Sequence, residues 1–132
     1  MKAFTRKDIC EKSGLPFTTV QLYTDKGFVI PAIHNPTGRG TNRLYDEENL
    51  IEFLLCKKLN TLGFTHSLLK KLSHQIREKL VAKKILNNEI DFLVIVDQAH
   101  IGFLKSSESV IFNDYQDNVL FLNVKNILKK VK

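Results

Sequence analysis

Apolar positions recur at helical spacing through the first two thirds of the chain and give way to short β-type runs after residue 88. Thr5 followed by Asp8 resembles a capping box with Asp in place of Glu, and predicts a helix over 6–13 with Ile9 and Cys10 inward. Gly14 suits the left-handed position that ends a helix, and Pro16 cannot continue one. A second short helix is predicted over 18–26 and closed by Gly27, with Val20 inward and Phe17 and Phe28 nearby. Two short helices around a Gly-containing turn make a helix-turn-helix unit.

The next segment reads FVIPAIHNPTGRGTNRLYDEENL. Residues 28–30 and 43–45 can be short strands, and the Pro, Gly and Asn residues between them are turn chemistry, so a β-hairpin with its tip at 37–42 is expected. Asp46 caps a third helix whose first turn holds Glu47 and Glu48, favourably placed against the helix dipole. Leu50, Ile51, Leu54, Leu55, Leu59 and Leu62 mark its buried face, and Gly63 ends it. Thr65 opens a fourth helix with Leu68, Leu69, Leu72, Ile76 and Leu80 on one side, running to residue 86 or breaking near 73–75. DFLVIVD at 91–97 reads as a buried strand. Further strands are expected at 100–104, 109–112 and 118–122, with a last short helix at 124–131. The fold class is α+β: an N-terminal winged helix-turn-helix over 1–75, then a helix and a small C-terminal β-rich region over 76–132 that ends in a short helix.

Charge sharpens this picture. The 132 residues carry a net charge of +6, but residues 1–88 hold 15 Lys/Arg against 8 Asp/Glu, and residues 89–132 hold 5 against 6. A basic front half points to a polyanionic partner, with a solvated basic surface as the plain alternative. Cys10 and Cys56 are far apart and form no CxxC, so neither a zinc motif nor a disulfide framework is present, and a reducing cytoplasm is the expected setting. MKAFTRKD lacks the apolar core of a signal peptide, and no run spans a bilayer, so no membrane partner is expected.

A helix-turn-helix followed by a hairpin is a winged helix, in which the second helix can enter the major groove of double-stranded DNA while the wing crosses the phosphates. Thr18, Thr19 and Gln21 face outward on that helix. Gln can pair bidentately with adenine, and Thr can offer its hydroxyl or touch the thymine methyl. A polar solvated helix is the plain alternative for the same residues.

The order of these signals is more specific than any one of them. TRKDICEKSGL, TTVQLYTDKGFVIP, GTNRLYDEENL and FLLCKKLNTLGFT, spanning residues 4–75, resemble the DNA-binding domain of MerR-family transcriptional regulators. Gln21 stands where that family usually has Arg, and Leu22 where it often has an aromatic, so the operator sequence does not transfer. The resemblance implies that Tyr23 packs below the helix and can reach a phosphate through its hydroxyl. It implies that Arg43 is the wing arginine on backbone phosphate, against the alternative of a surface ion pair with Asp46 or Glu47. Arg39, Thr41 and Asn42 lie at the wing tip, where they can approach the minor groove or stay solvated. Tyr45 reads as packing between wing and core, and Lys57 and Lys58 as solvated, with a phosphate role as the alternative if that helix face turns to DNA.

The resemblance further implies a homodimer on a pseudo-palindromic promoter, distorting the spacer so that RNA polymerase engages both elements. No long heptad run follows the fourth helix, so the β-rich region 91–122 and the last helix are expected to carry the dimer contact, with pairing of the helix over 65–86 with its mate as the alternative. An excisionase-like architectural protein or a winged-helix protein-interaction module remains the alternative. His34, His66, His74 and His100 are isolated, no cofactor motif is present, and TGRGT lacks the P-loop lysine, so no metal site, cofactor or enzymatic activity is expected.

Overall fold

The computed structural model of the chain describes residues 2–34, 43–105 and 119–131. Among the described residues, six helices and three strands follow in the order α1 (Arg6–Ser13), α2 (Phe17–Asp25), α3 (Glu47–Thr61), α4 (His66–Glu78), α5 (Val81–Leu86), β1 (Phe92–Val96), β2 (His100–Leu104), β3 (Val119–Asn123) and α6 (Lys125–Val131). The class is α+β. The strands expected at 28–30 do not form; instead, paired backbone bonds join His34 to Leu44 and Phe4 to Tyr45, so the chain entering α1 and both arms of the wing meet at one root. The strand expected at 109–112 lies outside the described residues.

Local chemistry accounts for the helix starts. Thr5 and Asp8 form a reciprocal capping box on α1, Asp46 and Asn49 form another on α3, and the Thr65 hydroxyl accepts from the Leu68 amide at the start of α4. α3 is the central strut. Leu50, Ile51, Phe53, Leu55 and Leu59 along it are fully buried.

The long fourth helix does break, but at Lys79–Leu80 rather than near 73–75. Leu80 takes the left-handed conformation (φ 55°, ψ 42°) and is 55% exposed, where the helical pattern had placed it inward. That conformation costs an L-residue about 1–2 kcal/mol. Tertiary contacts favour it: Lys79 Nζ donates to the Ile101 carbonyl at 2.6 Å, and the turn brings Val81 and Ile85 into the core.

The sheet has order β2-β1-β3, antiparallel throughout, with Ile95 opposite Ile101 on one side and Leu120 on the other. Leu93, Ile95, Ile101 and Leu122 turn inward to the helices. The edge of β2 is tied to α4 by Gln75, which accepts from the Ile101 amide at 3.0 Å and donates to the Ala99 carbonyl. A single apolar cluster runs from Phe4 to Val124.

Candidate nucleic-acid interface

α2 has two distinct faces. Val20, Tyr23 and Thr24 are buried, while Thr18, Gln21, Leu22 and Asp25, spaced i, i+3, i+4 and i+7, are exposed along one stripe. Thr19 is half-buried between the faces. The inner face is pinned by the Thr24 hydroxyl, 2.9 Å from both the Val20 carbonyl and the Tyr45 hydroxyl. Tyr23 is 2% exposed, its ring 5.5 Å from Phe28 and 6.3 Å from His66, and burial pushes its phenol pKa up. Tyr45 is fully buried against Phe53.

The start of α2 differs from those of α1, α3 and α4, because Pro16 makes no side-chain cap. Its first amides, on Phe17 and Thr18, meet no acceptor among the described residues. Such a helix start favours an anion. Phe17, expected near the core, is 54% exposed; it sits in the first turn with the Arg6 guanidinium 4.5 Å above its ring.

A second cationic group meets the other end of α2. Lys26 Nζ lies 3.1 Å from His66 Nδ1, and Lys70 Nζ donates to the Lys26 carbonyl at 2.7 Å. With Phe28 and Ser67 they line an open hollow of about 280 Å³ at the start of α4. The sequence does not join these residues: His66 reads there as an isolated histidine. Lys26 and His66 are 40 positions apart, and the signal that could have joined them was Thr65, whose cap places the first turn of α4 beside the end of α2.

At the wing root, Arg43 is paired with Asp25 at 2.8 Å, not with Asp46 or Glu47. Asp46 is occupied in capping α3, and the returning arm of the wing passes the C-terminal end of α2. The pair is partly exposed, with side-chain accessibilities of 24% and 48%, and contributes about 0–1 kcal/mol. Arg39, Thr41 and Asn42 lie outside the described residues.

Beneath the wing, Asn49 joins four groups. Its Oδ1 accepts from the amides of Ala32 (2.9 Å) and Asp46 (3.1 Å); its Nδ2 donates to the Ile30 carbonyl (2.9 Å) and to Glu52 Oε1 (2.8 Å). Arg77 of α4 donates to the carbonyls of Gly27 and Phe28, holding the turn between α2 and the wing. Glu52 is buried between these groups, and burial pushes its carboxyl up to about 7 despite the Asn49 hydrogen bond and the Arg77 charge.

Lys57, read as solvated, instead donates to the Ser13 carbonyl at 2.8 Å and ties α3 to the end of α1. Lys58 is exposed. Cys56 is buried among apolar groups and its thiol pushed up to about 12; Cys10 is half-buried and its thiol raised by the same cause. Among the described residues no three His, Cys, Asp or Glu side chains converge as a metal site would require, and no helix is long and apolar enough to cross a membrane.

The family model for the MerR HTH family regulatory protein matches residues 4–76, more than half of the chain. The matched segment contains α1, α2, the wing root, α3 and most of α4. No curated protein matches the chain.

Proposed function

Because the chain belongs to the MerR HTH family of regulatory proteins, and is thereby a DNA-binding transcriptional regulator, we propose that it grips promoter DNA as a homodimer on a pseudo-palindromic site and distorts the spacer between promoter elements. The observation that carries this reading is the exposed stripe of α2 with cations at both ends: Arg6 beside its start, and Lys26 and Lys70 beside its end. An α-helix with its side chains is about 10–12 Å across, which suits a major groove about 12 Å wide.

Gln21 then reads a base edge, with Thr18 and Thr19 on neighbouring bases or phosphate. Arg43 and the hydroxyl of Tyr23 hold the backbone beside the wing, and Arg39, Thr41 and Asn42 approach the minor groove or its flanking phosphates. Lys26, Ser67 and Lys70 take a phosphate at the start of α4. The sheet and α6 supply contacts between protomers, and RNA polymerase engages the distorted promoter.

Titration of the full chain against selected and random duplexes at several salt concentrations tests the assignment. Arg43→Ala should weaken binding to every duplex and lower the salt slope by about 0.9 for the lost phosphate contact. Gln21→Ala should blur preference at one base position. Equal effects of both substitutions on selected and random DNA would overturn these roles, and no binding to a pooled duplex library at low salt would overturn the whole reading.

A further inference from the structure

Away from the α2 stripe, a cavity of about 520 Å³ lies between the outer side of α3 and the corner where β3 turns into α6. Its size is within the range of about 300–1,000 Å³ typical of small-molecule pockets. Leu54 and Leu122, both buried, form its floor. Lys57, Lys58, Asn123 and Asn126 stand around its rim, and among the described residues no acidic side chain lines it.

The rim is rich in donors. The Lys58 ammonium makes no hydrogen bond or ion pair among the described residues, whereas that of Lys57 already donates to the Ser13 carbonyl. The Asn123 Oδ1 is taken by the Lys125 amide at 3.0 Å, which leaves its NH₂ group to donate. Two ammonium groups and two carboxamides above a hydrocarbon floor match a ligand with an anionic head and an apolar body. A neutral apolar molecule would gain nothing from these donors, and a cation would meet repulsion.

We propose that this cavity is a binding site for a small organic anion, of the chemical class of medium-chain monocarboxylates. The head lies between Lys58 and the two asparagine amides, and the chain lies on Leu54 and Leu122. Lys57 connects the site to α1: a carboxylate that draws its ammonium from the Ser13 carbonyl loosens the end of α1 just before the turn into α2. Binding itself does not depend on the DNA reading, and its measurement uses no DNA.

The test is an NMR titration of the ¹⁵N-labelled full chain with octanoate, and with octylamine as a cation of equal chain length. Octanoate should saturate with Kd below about 1 mM, a modest efficiency for a ligand of its size. It should move amides within 54–61 and 122–127. Octylamine should bind at least about tenfold more weakly. The double substitution Lys58→Glu with Asn126→Asp should weaken octanoate by about tenfold or more while amide dispersion stays native. Should that variant fold poorly, Lys58→Gln alone should still weaken octanoate severalfold. Equal binding of octylamine, shifts centred elsewhere, no saturation by about 10 mM octanoate, or undiminished binding by the variants would each overturn the proposal.

Discussion

Glu52 should set much of the pH dependence of stability between mildly acidic and neutral conditions. It is 8% exposed, near the middle of α3, and its carboxyl rises from 4.5 to about 7 mainly because burial disfavours the charged form. Between those two values the folded protein keeps a proton that the unfolded chain has released. Protonation therefore favours the fold: the contribution is fully present below pH 4.5 and is lost as pH rises through about 7. At about 1.36 kcal/mol per factor of ten in proton affinity, the loss amounts to about 3 kcal/mol. That is a large share of the roughly 5–15 kcal/mol that holds a domain together. Glu52→Gln keeps an oxygen to accept from Asn49 Nδ2 and removes the ionisation. Urea unfolding followed by far-UV circular dichroism, from pH 4.5 to 8, should show the substituted protein gaining about 3 kcal/mol on the wild type across the range. The difference curve cancels carboxylates common to both proteins, including Asp8, whose pKa is lowered chiefly by the Thr5 amide and hydroxyl. Parallel curves for the two proteins, or a wild type that gains stability on the substituted form as pH rises, would refute the reasoning.

Gly63→Ala should destabilise by about 1–2 kcal/mol in urea titrations. An added Cβ at φ 95° meets nothing within 4 Å, so the cost is backbone strain alone. Asp25→Asn removes an anion from the exposed stripe of α2 and frees the Arg43 guanidinium, so affinity for random duplex DNA should rise severalfold at fixed salt, read by fluorescence anisotropy. In native protein at pH 8, iodoacetamide should label Cys10 well before Cys56, whose labelling should appear only on unfolding; mass spectrometry of digests gives the order.

Helix ends governed by adjacent residues were legible in the sequence. The Thr5–Asp8 box, the Asp46 cap and the Gly14 stop each act within four positions, and α1 came out at its predicted bounds with α2 displaced by one residue. The outward face of Gln21 and Thr18 followed from the same local periodicity. Features that depend on distant partners were not legible. Nothing near Leu80 signals a left-handed turn; the cause is the hold of β2 on Gln75 and Lys79 from more than 20 positions away. The sequence offers Arg43 the acids that follow it, Asp46 and Glu47, but folding brings it to Asp25. For the same reason the grouping of Lys26, His66 and Lys70 was invisible in a list of isolated histidines.

The apolar cluster does not stop where the family match does, at residue 76. Val81, Ile85 and Leu93, at 0%, 2% and 0% exposure, belong to the same continuous interior as Leu50 and Leu55. Excising the matched segment would strip greasy side chains bare on both fragments. The DNA-reading head is therefore not an interchangeable cartridge: a chimera that grafts it onto another scaffold has to carry the small sheet along with it.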